Sequence, residues 1–452
     1  MDAADLDRRA RTHSGWIPPL VVSRLLELGY EEVVELRAGR GEWFCALEWA
    51  RLLGDRGRQE EALEVLAPYV ATDWWTAVRA RVELLERWGR VEEAIALARP
   101  YARGGGFKLE LLARLLARYG RQDEAVTRLT AGIEDPCLAH ALVELWEGAG
   151  RDEDIAVLLA ARTPAPGHRC EDPWCCPGLD PDTAIGLLAA VRERQGRVDE
   201  AIALLRTRQI TSVNDRDELA ELLARQDRIE ELRAYAASEP NGLAAQRLAE
   251  LLEERGDVDG AIAVYRLPDD SPVCRVHVAW ELAGLLARHG RGDEAIEVMR
   301  ALADSAGGAD EWIVGALCTL YADHGRALDG LAYLDTLTTA RGGREEWEFF
   351  RPRLRLMAAG GLLDEAIGLA RERPEGDSGY AAWTISDLLA ETGRTEEAVA
   401  VLEPHGADHP TLLAGHLIGL GRIEEAVALF PQRAGQPFVP VWSGTFTAEP
   451  PL

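Results

Sequence analysis

Gly89-Arg90-Val91-Glu92-Glu93-Ala94-Ile95-Ala96-Leu97-Ala98-Arg99 returns in near-copies along almost the whole chain of 452 residues. Copies begin at Gly57, Gly120, Gly150, Gly196, Gly256, Gly290, Gly325, Gly361, Gly393 and Gly421, and a degenerate one has Asp227 in place of the glycine. Turn-to-turn spacings run from 28 to 36 residues, apart from one gap of 46 between Gly150 and Gly196. Such a period means one supersecondary unit stacked on itself, each copy burying its apolar face only against its neighbours.

The spacing predicts two helices per unit. A first helix such as Trp43 to Arg56 ends at a glycine turn, and a second such as Gln59 to Val70 follows. The turn glycine supplies the left-handed conformation that ends a helix cheaply. First helices repeat Leu-Ala-x-Leu-Leu, as in Leu219 to Leu223 and Leu282 to Leu286, which sets an i, i+3, i+4 apolar stripe. Five residues past the turn an alanine stands in nine of the twelve units counted from Gly57. It marks a place where two helices approach too closely for a larger side chain. The acidic pair before it, as in Glu60-Glu61, Glu92-Glu93 and Glu424-Glu425, occupies the first turn of the second helix, where the macrodipole favours negative charge.

Composition narrows the function classes. A formal charge of −27 argues against a nucleic-acid or anionic-membrane partner, since both need a basic surface. Lys108 is the only lysine beside abundant arginine, the coding bias of a high-GC bacterial genome. The first residues lack the basic-then-apolar order of a signal peptide and no run of about 18 apolar residues spans a bilayer, so the expected compartment is the cytoplasm. Of seven cysteines, Cys45, Cys137, Cys274 and Cys318 sit singly in helical stretches, the pattern of free thiols.

The turn sequence Gly-Arg/Asp-x-x-Glu-Ala-Ile/Val, at this spacing and between two helices, resembles the tetratricopeptide repeat over roughly residues 41 to 431. The resemblance implies an all-α fold, a right-handed α-solenoid of about a dozen helix-turn-helix units, whose first helices line a concave surface that captures a peptide or a protein. It also implies that groove-facing positions lie thirteen, ten and six residues before each turn glycine. Those positions hold His277, Trp280, Trp312, Arg351, Arg355, Tyr380 and Trp383 in the C-terminal part of the chain. In the N-terminal part they include Phe44 with Arg51, Arg79, Phe107 with Arg114, and His140 with Glu144. Aromatic and arginine side chains are the usual anchors of an interface. Trp43, Trp75 and Trp347, one residue further from their turns, are expected to pack between helices.

The organisation expected is a cap with a degenerate first repeat (1–40), an N-terminal arm (41–163), an insertion rich in proline and cysteine (164–182), a C-terminal arm (183–431) and a proline- and aromatic-rich tail (432–452). Five prolines between Thr163 and Asp182 exclude a helix there. The insertion carries the one metal-like constellation, His168, Cys170, Cys175 and Cys176, four ligands suited to structural zinc, against which adjacent Cys175 and Cys176 cannot both bind without an awkward backbone. Asp172, Asp180 and Asp182 read as turn formers. No nucleophile elbow, phosphate-binding loop or His-Glu-x-x-His pair occurs, and Gly104-Gly105-Gly106 lacks the Gly-Lys-Ser/Thr of a phosphate cradle. The reading is a non-enzymatic scaffold or adaptor without cofactor, binding a partner that offers apolar side chains and a carboxylate. The alternatives are an enzyme, an enzyme subunit or a small-molecule sensor using the groove or the insertion.

Overall fold

The repeated turn decides the local structure. In the computed structural model the helix Trp75–Arg87 stops on Gly89 at φ +76°, and the amide of Arg90 donates back to the Leu85 carbonyl at 2.9 Å. This is a Schellman closure, with the glycine at its left-handed position. Asp227, standing where glycine is expected, adopts the same conformation at φ +57° and closes the same bond, Arg228 N to Leu223 O at 2.9 Å. Aspartate tolerates that region at a modest cost.

The structure describes residues 2–13, 15–147, 150–163, 178–208, 212–213, 216–239, 242–266, 272–305, 310–342, 345 and 347–431, with the backbone alone of 212–213, 272–275 and 348. Among these are 27 α-helices, two short 3-10 helices and one antiparallel pair of two-residue strands, Ser212–Val213 with Arg216–Asp217. The fold is an all-α helical-repeat solenoid. No described helix is long and apolar enough to cross a membrane.

The alanine five residues past the turn is completely buried in all nine units that have it: Ala62, Ala94, Ala125, Ala201, Ala261, Ala295, Ala366, Ala398 and Ala426. At the same place Gly330 leaves no room even for a methyl, since a Cβ there would lie 2.8 Å from Leu356 Cδ2 and 3.0 Å from Tyr321 Cβ. The arginine after the turn glycine joins units together. It pairs with the acid three residues on in its own unit, as in Arg90–Glu93, Arg291–Glu294, Arg326–Asp329 and Arg422–Glu425. Its other nitrogens reach the preceding unit, as in Arg90–Glu60, Arg228–Asp199, Arg291–Asp259 and Arg326–Asp293. The acidic pair at each second-helix start therefore answers two arginines as well as the helix dipole. Each exposed bond adds at most about 1 kcal/mol, and the ladder sets register more than it adds stability.

The chain forms two compact units, Gly104–Ala366 and a second made from both ends, Met1–Arg103 with Ile367–Leu452. These do not coincide with arms drawn at 41–163 and 183–431. The helices either side of the insertion, Asp152–Ala160 and Pro181–Arg194, are joined like neighbouring repeats. Arg194 donates to the Val143 carbonyl at 2.7 Å and to Asp152 at 2.8 Å, and Arg192 pairs with Glu153 at 2.9 Å. Proline did not keep the whole of Thr163–Asp182 from being helical. Pro181 opens the helix Pro181–Arg194 at a position that needs no amide donor, and Asp180 caps it by accepting from Thr183 N at 2.9 Å.

In the unit built from both ends, the helices Ala3–Thr12, Pro19–Glu27 and Glu31–Gly39 share one core with the helix pairs Gly379–Glu391/Thr395–Leu402 and Pro410–Gly419/Ile423–Ala428. Leu6, Trp16, Ile17, Val22 and Leu25 are fully buried there with Leu402 and Ala414. A buried ion pair sits at the junction. Glu42, 1% exposed, accepts from Arg37 Nη1 at 2.7 Å and from the Ile17 amide at 3.1 Å, while Arg37 Nη2 donates to the Val427 carbonyl at 3.1 Å.

Candidate functional site

First helices within the unit Gly104–Ala366 meet in a fixed register. The residue thirteen before one turn contacts the residue ten before the previous turn. His277 Nε2 lies 3.1 Å from Gln246 Oε1, and the rings of Trp312 and Trp280 meet edge to face at 5.8 Å between centroids. The helices concerned are Leu243–Glu254, Pro272–Arg288 and Glu311–Asp323. Trp280 is 47% exposed and Trp312 49% exposed, large values for the largest apolar side chains in a protein that buries Trp16 and Trp43 completely. Tryptophans left open side by side form an exposed apolar patch.

The helix beside each ring is bare. Gly284 follows Trp280 by four residues and Gly315 follows Trp312 by three, each inside its helix. A Cβ on Gly315 would meet nothing within 4 Å, and one on Gly284 only Arg288 Nη1 at 3.4 Å. Packing thus asks for neither glycine, although each costs its helix about 1 kcal/mol relative to alanine. The result is a notch of half-buried backbone, free of side chain, along the tryptophan pair.

The expected groove arginines are engaged within the protein. Arg114 pairs with Glu110 at 2.8 Å and Glu144 at 2.7 Å, Arg79 lies 3.5 Å from Glu83, and Arg51 pairs with Glu48 at 2.5 Å. Arg79 and Arg114 are thus neutralised in place by carboxylates on the same helical face, which a list of arginines alone does not reveal. Arg351 is half-buried and Arg355 exposed on the helix Trp347–Ala359, and both already interact within the protein. Tyr380 and Trp383 belong to the other unit. Their rings lie 5.4 Å apart, with Trp383 stacked on His409 at 6.4 Å. Trp43 and Trp347 are buried as expected, and Trp75 is half-buried against Tyr101 at 5.8 Å.

His416 Nε2 lies 3.3 Å from the buried Ser386 hydroxyl, which donates to it when the neutral ring carries its proton on Nδ1. Burial pushes the His416 pKa below its usual value, opposed by the charge of Asp387. Ser386 is fully buried, so this pair packs two first helices together and offers no nucleophile to a substrate.

His168, Cys170, Cys175 and Cys176 lie outside the described residues, as does the tail 432–452. The flanks of the insertion are described, and one carboxylate ties them. Glu134 accepts from Arg162 Nε at 2.9 Å and Nη2 at 2.6 Å on one side, and from the Leu179 amide at 3.0 Å on the other. Arg162 and then the Leu179 amide hold the Glu134 carboxyl below the usual carboxylate range. Among the described residues no group of three or more His, Cys, Asp or Glu is placed to hold a metal ion. Of the described cysteines Cys45 and Cys318 are buried, and burial pushes the Cys318 thiol up to about 12. Both are inert packing thiols.

Sequence reasoning singled out Trp280 and Trp312 but not Gly284, Gly315, Gln246 or Glu134, which the structure places beside them or at the insertion. A glycine inside an otherwise strong helix pattern, one turn after an aromatic residue, is the signal that marks the notch. No signal in the sequence joins Glu134 to Arg162 and Leu179, which are distant along the chain and meet only through the fold.

No family model matches this chain, and no curated protein does. Among solved structures, one titled "Structure of Naa15/Naa10 bound to HypK-THB" matches over 87% of this chain and 69% of that chain, at 14% identity and a TM-score of 0.27. At that score the likeness carries no argument about what this chain binds or does.

Proposed function

We propose that the protein is a non-enzymatic adaptor that holds a segment of a partner protein, or a peptide, along its first helices. The observation that carries this reading is the exposed Trp280–Trp312 pair beside the bare backbone at Gly284 and Gly315. Apolar side chains of the partner would lie on the tryptophans, which bury much area at little entropic cost. A carboxylate of the partner would be taken by Arg351 and Arg355 through parallel hydrogen bonds, in exchange for the interactions those side chains already make. Burial closes Cys45, Cys318 and the Ser386–His416 pair to a substrate, which supports binding over catalysis, and leaves Cys137 as the exposed thiol among the described residues. A structural zinc held by His168, Cys170, Cys175 and Cys176 is the secondary reading of the insertion, after free thiols.

Affinity capture from an extract of the source cells tests the reading. The wild-type chain should retain a partner that Trp312→Ala loses by at least ten-fold, with an unchanged circular dichroism spectrum. Equal capture by both chains would refute it. Turnover of a small molecule that Trp312→Ala abolishes would favour the enzyme alternative.

A further inference from the structure

We infer that the partner segment carries an arginine or lysine, bound where the tryptophan pair meets the acidic end of the same face on the helix Leu243–Glu254. This rests on the adaptor reading above and adds the charge of the segment. Arg247, 17% exposed, is the one cation of that helix and is surrounded by Glu221 at 3.1 Å, Glu254 at 3.3 Å and Glu250 at 3.5 Å, so two carboxylate charges remain in excess. Glu250 and Glu254 stay open to solvent at 45% and 61%.

A polar relay joins this cluster to the aromatic pair. Gln246 Nε2 donates to Glu250 Oε1 at 3.1 Å, and Gln246 Oε1 accepts from His277 Nε2 at 3.1 Å, one helical turn before Trp280. At the other edge, the helix Glu311–Asp323 carries Glu311 and Asp323 and no basic residue. Next to the tryptophans along the chain stand Glu281 and Glu311; Glu281 feels the charge of Arg288, whose guanidinium is itself bound to Glu253 at 2.9 Å. Tryptophan faces attract a guanidinium or ammonium group through the ring quadrupole, and neighbouring carboxylates add a directed ion pair. The face is apolar at its centre and unbalanced toward negative charge at its rim, the complement of a segment that alternates apolar and basic side chains. The bare backbone at Gly284 and Gly315 gives such a segment room to lie flat.

The test is a titration of the full chain with two fluorophore-labelled, end-blocked hexapeptides, Arg-Leu-Arg-Leu-Arg-Leu and Glu-Leu-Glu-Leu-Glu-Leu, followed by anisotropy at about 50 mM and 500 mM salt. The arginine peptide should bind at least ten-fold tighter at low salt, with the preference shrinking at high salt. A molecule of charge −27 attracts cations everywhere, so the variants decide. Gly315→Leu fills the notch in open space and should weaken the arginine peptide at least ten-fold with unchanged helicity, as should Trp312→Ala. Glu250→Gln with Glu254→Gln should remove most of the preference. An arginine peptide indifferent to Gly315→Leu, Trp312→Ala and the double glutamine variant would overturn the inference. So would a preference for the glutamate peptide that Gly315→Leu abolishes, although the adaptor reading would then stand on its own. If neither peptide responds to Gly315→Leu or Trp312→Ala, and the cellular partner of the capture experiment does not either, both readings fall together.

Discussion

Replacing Arg37 by alanine removes the cation from a carboxylate with nowhere to go. Glu42 is 1% exposed and would lose the guanidinium at 2.7 Å while keeping the Ile17 amide at 3.1 Å, and the Val427 carbonyl would lose its donor. Breaking a buried pair by deleting one partner costs about 3–5 kcal/mol, because the remaining charge is left uncompensated. For a cooperative unit of 150–250 residues that corresponds to a fall in melting temperature of roughly 6–20 °C. The companion variant Arg37→Met/Glu42→Leu removes both charges together and leaves neutral groups such as the Ile17 amide and the Val427 carbonyl to find other partners, about 1–3 kcal/mol each. Because no unpaired charge is left behind, it should be less damaging than the sum of Arg37→Ala and Glu42→Leu, a non-additivity that two independent sites cannot produce. Thermal melts followed by circular dichroism measure both, and amide exchange should rise first in the helix Ile423–Ala428, which carries Val427. A loss below about 1 kcal/mol for Arg37→Ala, or simple additivity with Glu42→Leu, would show that the pair does not hold the two ends of this unit together.

Other outcomes follow from the same geometry. Gly330→Ala should destabilise by about 1–3 kcal/mol through overpacking against Leu356 and Tyr321, whereas Gly315→Ala should stabilise by up to about 1 kcal/mol, both read from urea melts. Because the folded-state pKa of Glu134 is lowered, its contribution is present above the unfolded value near 4.5 and is lost as pH falls through the folded value. Glu134→Gln should flatten that acid branch of the stability profile. His416 also has a lowered pKa, so neutral His416 favours the folded state above about pH 6.5 and that contribution falls on acidification, a component His416→Gln removes. If His168, Cys170, Cys175 and Cys176 hold zinc, elemental analysis of the purified protein finds about one equivalent, and metal-free protein with all four groups reactive would exclude it.

The repeat, its two helices and its left-handed turn were legible because each depends on residues a few positions apart. Gly89, Arg90 and Ala94 specify one corner of the fold between them, and the corner recurs in twelve units, nine of which keep the alanine. Both tryptophans were legible as first-helix residues for the same reason, Trp280 ten and Trp312 thirteen residues before its own turn glycine, whereas their contact appears only when the two helices are placed side by side. What was not legible depends on residues far apart. The arginine after the turn reads as a helix-start residue, and its bond to the previous unit emerges only when Arg90 is seen against Glu60. Arg114 reads as a free cation until Glu144 of the next unit is placed beside it. The joining of both ends through Arg37, Glu42 and Val427 leaves no trace in the repeat pattern, because those residues lie at its margins.

Site-specific photo-crosslinking in an extract of the source cells tests the binding face most directly. A photoreactive residue at Thr319, exposed on the helix that carries Trp312, should form a discrete crosslink to a partner that Gly315→Leu abolishes. The same residue at Glu297, exposed on the second helix Gly292–Ala303, should not form it. Equal labelling from both positions, or a crosslink at Thr319 that survives Gly315→Leu, would contradict the assignment of the Trp280–Trp312 face as the place where the partner is held.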